Sequence, residues 1–249
     1  MNARPTPRRR KKSPASRLRP FWWLLLLVLV LFTASGYAFV GWDGFKPHTV
    51  RVRGNHVVHK EQILNAAGIA LNTNIWLQNT GAMAKRIEAI PYIDKAWVRR
   101  LPPGTLLLDV TERTPFAVLQ TGATRWLVDS SLRVLAADNE ASAHLPVLVA
   151  DVQARPGVTL DAPAVVGLRN DLQAMLDASI DPATVQHDRY GDVVATLHNG
   201  IRLLLGDETD LAKKLPLVNP ILAQVGRGQR PIAAIDLRAP HTPVVVYKK

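Results

Sequence analysis

The side chains able to do chemistry are scattered. His56 and His59 lie three residues apart, but they straddle a turn and a helix start, and no acidic group completes a metal-ligand set around them. Gly206-Asp207-Glu208-Thr209-Asp210 gathers three carboxylates without the spacing of a calcium loop, and reads as a turn feeding a helix N-terminus, where negative charge is favourable. Arg99-Arg100, beside Pro102-Pro103-Gly104, offers guanidinium groups to a phosphate or an acidic partner, or forms the solvated end of a strand. No Gly-x-Ser-x-Gly, Ser-x-x-Lys, His-Glu-x-x-His or Walker loop occurs. The 249 residues contain no cysteine, which excludes disulfides, thiolate metal sites, iron–sulfur clusters and a cysteine nucleophile. A hydrolase built on scattered carboxylates finds no positive support. The expectation is a protein without catalytic residues, metal or cofactor, whose chemistry is recognition.

Recognition residues are concentrated near the C-terminus. In Ile235-Asp236-Leu237-Arg238, strand alternation puts Ile235 and Leu237 on one face, toward the core, and Asp236 and Arg238 on the other. Arg238 there either forks onto a partner carboxylate, which lysine cannot do, or lies as a solvated charge beside Asp236. Val244, Val245, Val246 and Tyr247 read either as a core strand or as an edge strand whose free amides and carbonyls accept a further strand. Lys248 and Lys249 then act as gatekeepers against uncontrolled pairing.

The charge distribution separates the N-terminus from the rest. Of the 31 basic residues, eight (Arg4, Arg8, Arg9, Arg10, Lys11, Lys12, Arg17 and Arg19) lie in the first twenty, with no acidic residue among them. From residue 21 the balance is 23 basic to 20 acidic, so the net charge of +11 is not the footprint of a nucleic-acid binder. The tail 1–20 is expected to be disordered. Phe21 to Trp42 follows, 22 residues without a charge. As a helix it spans roughly 33 Å against a hydrocarbon core of about 30 Å. Trp22 and Trp23 at one end and Trp42 at the other suit the two membrane interfaces, and the basic tail is expected to stay in the cytoplasm. The rival is a cleaved signal peptide ending near Gly36-Tyr37-Ala38, against which stand the long basic region before it and the apolar Phe39 and Val40 beyond.

The remainder divides near residue 115. Thr49–Arg53 alternates as a strand before the Gly54-Asn55 turn, helices fit 59–68 and 80–90, and strands fit 92–100 and 105–112. This β-α-α-β-β order forms a small α+β unit over 46–115. Residues 116–249 read as a mixed α/β domain with a largely antiparallel sheet ending in an edge strand. Its strands fit 116–120, 125–128, 133–136 and 146–149, and a helix fits 163–178 with Asp161 as a possible cap. The hairpin 193–197/201–205 carries Asn199-Gly200, the signal of a type I′ turn. A last helix from 211 to 225 is interrupted by Pro216 and Pro220, which can split it in two. Two extended segments, 231–238 and 242–247, close the chain.

VRVRGNHVVHKEQIL at Val50–Leu64 and IPYIDKAWVRRLPPGTLLLDVTERTPFAVL at Ile90–Leu119 resemble the POTRA domain of the FtsQ/DivIB family of bacterial cell-division proteins. The second stretch carries, in order, a Pro-aromatic-Ile signal, Ala-x-Val-x-Arg, Pro-x-Thr-Leu and Glu-Arg-x-Pro. Trp126 to Asp129 with Arg133 to Leu135, and Ile235 to Arg238, resemble later family segments. Two departures stand out: Ser130-Ser131 replaces a usual glycine, and Ala239-Pro240-His241-Thr242-Pro243 replaces an aromatic and a glycine turn. The resemblance implies a single-pass inner-membrane scaffold with a periplasmic C-terminus at the division septum. By motif match it assigns binding of FtsB, which associates with FtsL, to Asp236, Leu237 and Arg238. Val244 to Tyr247 follow by position. Other division membrane proteins are expected on the POTRA domain, and neither nucleic acid nor a small-molecule substrate is expected. The alternative is a POTRA-containing accessory for secretion or outer-membrane protein translocation; the chain lacks the eight or more lipid-facing strands of a barrel.

Overall fold

The structure, a computed structural model, describes residues 15–138, 142–207, 210–225, 230–239 and 241–248. Arg4 to Lys12 of the basic tail, Glu208, Thr209, Pro240 and Lys249 lie outside the described residues. Helix α1 is Ala15–Gly41, so helical structure begins six residues before the charge-free run. Its segment Phe21–Gly41 has a mean hydropathy of 2.3 and is, among the described residues, the one helix long and apolar enough to cross a bilayer.

The β-α-α-β-β order is present as β1 (Thr49–Arg53), α2 (Lys60–Ala67), α3 (Thr80–Glu88), β2 (Ile93–Leu101) and β3 (Thr105–Glu112), with the strands in the order β1-β3-β2. Gly68 ends α2 in the left-handed conformation at φ 60°, which glycine adopts without a Cβ penalty. Ile63 and Ala67 of α2 and Met83 and Ile87 of α3 are buried, as are Ile93, Ala96, Leu108 and Val110, as a sheet face covered by two helices requires. Gly54 follows β1 at φ +83°, and a Cβ there would stand 2.0 Å from the Val110 carbonyl oxygen, so this turn accepts only glycine.

The later elements are β4 (Ala117–Thr121), β5 (Thr124–Val128), β6 (Val134–Ala137), β7 (Val147–Val149), α4 (Pro163–Asp177), β8 (Pro182–His187), β9 (Val193–Leu197), β10 (Arg202–Gly206), α5 (Leu211–Val225), β11 (Ile232–Asp236) and β12 (Val244–Tyr247). One nine-stranded sheet takes them in the order β12-β11-β10-β9-β8-β7-β4-β5-β6. Five of its neighbour pairs are antiparallel; β4–β7, β7–β8 and β10–β11 are parallel. Its core joins Leu168, Leu172 and Met175 of α4 and Leu211, Leu215 and Val218 of α5 to Leu119, Leu148, Val185, Leu203 and Ile235 of the strands.

The fold departs from the sequence expectations at several points. Strand β8, between β7 and β9, is unforeseen: it opens on a proline and alternates weakly, and the partly buried Asp171–His187 hydrogen bond of 2.7 Å links it to α4. The N-cap of α4 is Ala162 with no side-chain cap bond, so Asp161 does not cap the helix. The β9–β10 turn is a three-residue loop in which Gly200 alone is left-handed, not type I′, which requires two such residues. Leu197 N donates to Ile201 O at 2.9 Å and Gly200 N to Leu197 O at 2.8 Å. Helix α5 is continuous despite Pro216 and Pro220. Their spacing of four puts both on the exposed face, where water can solvate the carbonyls that lose their helical partner. Lys214, on the opposite face, is buried and donates to Leu205 O at 2.6 Å.

Glu112-Arg113 is a structural joint. The Glu112 carboxylate accepts the amides of Val57 (2.9 Å) and Val58 (2.8 Å). Arg113 pairs with Asp94 at 2.8 Å and Asp129 at 2.7 Å. Asp129 in turn accepts the Ser131 hydroxyl and the amides of Ser131 and Arg133, and Leu132 takes the left-handed position at φ 62°. Serine thus builds the 129–133 turn without a glycine at 130 or 131.

Burial alone would push the Asp129 carboxyl up, but hydrogen bonds from Ser131, Arg113 and Arg133 outweigh it and hold it below the usual range. Burial likewise opposes, and the amides of Val57, Val58 and His56 outweigh it, at Glu112. Both carboxyls have lower values folded than unfolded, so their stabilisation is present at neutral pH and is lost as pH falls through the folded values. The urea midpoint is expected to hold from pH 7 down to roughly 5 and to fall steadily below about 4.

Candidate partner-binding edge

Strand β12 occupies one end of the nine-stranded sheet and, among the described residues, pairs on one side only, antiparallel to β11. The register sets Tyr247 opposite Ile232, Val246 opposite Ala234, Val245 opposite Ile235 and Val244 opposite Asp236, with a bulge between Ile232 and Ala234. Lys248 N donates inward to Pro231 O at 2.8 Å. In an antiparallel ladder the inward and outward backbone groups alternate along a strand. Val246 and Val244 therefore share the inward phase of Lys248, and Val245 and Tyr247 direct both N–H and C=O to the open edge.

The side chains follow that period at the valines, and Tyr247 departs from it. Val245 packs against the core, next to Ile235. Val244, Val246 and Tyr247 are 54%, 46% and 43% exposed, far more than a core strand would be. The core-strand alternative for 244–247 thus fails for three of its four residues. Leu237 is fully buried and its amide donates to Leu204 O at 2.8 Å, so it holds the strand end in place and offers no side chain to a partner.

Asp236 and Arg238 share the outer face, as alternation requires, and bind each other. Arg238 Nε donates to Asp236 Oδ1 at 3.0 Å, Nη2 donates to Oδ2 at 2.6 Å, and the Arg238 amide donates to Oδ1 at 3.1 Å. The Arg238 hydrogen bond lowers the Asp236 carboxyl from its ordinary value against a smaller opposing effect of burial. Of the two readings of Arg238, the charge beside Asp236 describes this geometry: its fork is engaged within the chain, and a partner carboxylate would have to compete for it. The arginine also lies over Gly206, whose φ of +70° brings the backbone so close that a Cβ there would meet Arg238 Cγ at 3.1 Å.

A role that the sequence does not show belongs to Arg100. Arg100 is not a solvated strand end: its Nε donates to Ile75 O at 2.7 Å and its Nη2 to Gln78 O at 2.6 Å. Nothing in the spacing of Arg100, Ile75 and Gln78 signals that clamp. At the other sequence-derived sites, Trp22, Trp23 and Trp42 are exposed on or just after α1. Trp42 meets Phe45 edge-on with centroids 4.6 Å apart.

Comparison with known proteins gives the fold context. Residues 45–113 match the family model described as POTRA domain, FtsQ-type, and residues 117–238 match that of the cell division protein FtsQ/DivIB C-terminal region. The cell division protein FtsQ of Streptomyces venezuelae is 27% identical over 97% of this chain and 88% of its own length. That of Syntrophotalea carbinolica is 28% identical over 74% of this chain, which spans 61% of that relative. A solved structure, the major extracytoplasmic domain of cell division protein DivIB from Geobacillus stearothermophilus, is 20% identical, covers 47% of this chain and 98% of that one, and has a TM-score of 0.31.

Proposed function

From the premise that the chain belongs to the FtsQ/DivIB family of cell division proteins, we propose that it is a non-enzymatic scaffold that binds other division proteins by accepting a strand on β12. Helix α1 anchors it in the inner membrane with the basic tail in the cytoplasm and the sheet domain in the periplasm. The partner is an FtsB-type bitopic protein with its FtsL-type associate, held at the septum, and the POTRA domain receives further division proteins.

One observation carries this reading: among the described residues the outer side of β12 is open, with two outward amides and three exposed apolar side chains. In strand addition the backbone supplies affinity and alternate side chains supply selectivity, so no catalytic constellation is required. Val244 and Val246 line the face on which an added strand would place its own alternate side chains. The Asp236–Arg238 pair beside them presents a fixed charge pattern, which favours one register over a slip by one residue.

The test uses the full chain in lipid nanodiscs, titrated with the exported segment of an FtsB-type protein. Binding is expected for the intact chain and expected to disappear when the chain is truncated after Ala239. Equal binding by the truncated chain would move the interface away from β12.

A further inference from the structure

The connection between α2 and α3, residues 70–79, is tied to the end of α1. Asn74 Nδ2 donates to the carbonyl of Phe39 at 2.9 Å, and the amide of Ile75 donates to the carbonyl of Phe45 at 2.8 Å. Asn74 is buried, and its bond satisfies one of the carbonyls that the last turn of a helix leaves without a partner. Ile75 is fully buried. The loop is rigidified from within: the Gln78 side chain donates to Ala70 O and Thr73 O, both at 2.8 Å, and Asn74 Oδ1 accepts the Trp76 amide at 2.9 Å. Arg100 clamps it from β2, with its guanidinium 5.8 Å from the centre of the Trp76 ring.

This loop, with two buried polar side chains spent on its shape, displays large apolar groups to its surroundings. Leu71, Trp76 and Leu77 are 64%, 44% and 57% exposed. An amphipathic tryptophan flanked by leucine is the composition found where protein meets the headgroup layer. Position agrees with composition. Phe39 lies two residues from the end of α1, about 3 Å along its axis. Trp76 lies two residues from Asn74, within about 7 Å of it. The interfacial zone on each side of the hydrocarbon is itself roughly 5–7 Å deep.

We propose that residues 71–77 form a membrane seat: Leu71, Trp76 and Leu77 insert into the glycerol-ester layer of the leaflet from which α1 emerges. The proposal rests on α1 spanning the bilayer and is independent of what β12 binds. The occupant is lipid because the loop is continuous with the spanning helix through two hydrogen bonds at its exit. The seat fixes the height of the loop above the bilayer and restricts its rotation about α1.

The cysteine-free chain allows single spin labels. Leu71→Cys, Leu77→Cys, Val30→Cys in mid-α1 and Val158→Cys, exposed after β7, are each labelled in the full chain and reconstituted in phosphatidylethanolamine/phosphatidylglycerol vesicles. The ratio of collisions with oxygen to collisions with an aqueous nickel chelate is expected to be several-fold higher at 71 and 77 than at 158, and lower than at 30. Values at 71 and 77 equal to that at 158 overturn the seat. Shielding of both from oxygen and nickel together marks a protein contact and also overturns it. An aqueous reading at 30 removes the spanning helix, and the seat with it.

Discussion

Replacing Tyr247 with proline is expected to lower affinity for the added strand about ten- to hundredfold while leaving the fold intact. The inward bond of Lys248 to Pro231 sets the phase of β12, so the Tyr247 amide faces the open edge and takes no part in the β11 ladder. Proline there removes an outward donor, a position at which edge strands tolerate it. The partner carbonyl that met that amide is left unsatisfied, which costs about 1–3 kcal/mol. Each 1.4 kcal/mol corresponds to about tenfold in affinity. Tyr247→Thr keeps the amide and a strand-forming side chain, and is expected to bind close to the parent. Titration of both variants against the exported segment of an FtsB-type protein, with circular dichroism as the check on folding, reads the difference. Equal affinity of the proline and threonine variants would show that the backbone of β12 is not what the partner uses.

Arg113→Ala is expected to cost about 3 kcal/mol of folding stability, the lower end of what removing one partner of a buried ion pair costs. The guanidinium bridges Asp94 and Asp129, and the Asp129 side chain is nearly buried while Asp94 is partly exposed. Removal leaves the Asp129 charge with only Ser131 and the backbone amides to solvate it. Loss of the Arg113 hydrogen bond also lets the Asp129 carboxyl rise toward its ordinary value, so the variant has less stability left for acid to remove and its deficit relative to the parent should shrink at acid pH. Urea titrations at pH 7 and at about pH 3 measure both effects. Arg113→Lys, which keeps the charge but has no planar fork to span two carboxylates, should fall between the two. A midpoint for Arg113→Ala indistinguishable from the parent would contradict the joint.

The parts of this fold that were legible in the sequence are those where local signals agree with tertiary demand. The run Phe21–Trp42 has no other use than a long apolar helix, and Gly54 and Gly68 mark ends that only a left-handed residue can make. Strand β8 was hidden because its residues, Pro182 to His187, carry little β pattern of their own; it is a strand because β7 and β9 flank it. The bounds 193–197 and 201–205 announced a three-residue turn correctly, but Asn199-Gly200 misnamed its type, since Gly200 alone took the left-handed position. Pro216 and Pro220 argued against a helix that survives because both lie on its wet face.

At the candidate edge, alternation placed Asp236 with Arg238 and Ile235 with Leu237. It could not say that the first two would satisfy each other, which depends on how Gly206 admits the arginine. Nor could sequence give the phase of β12, because three valines in a row carry no alternation of polarity. The Lys248–Pro231 bond supplies that phase, and with it the residues to test.

Residue-resolved amide hydrogen exchange at Val245 and Tyr247, with and without the exported partner segment, tests strand addition most directly. Both amides are expected to exchange quickly in the free protein and to slow together on binding, while Val244 and Val246, already bonded to β11, change little. Binding that leaves Val245 and Tyr247 as fast as before would contradict the account.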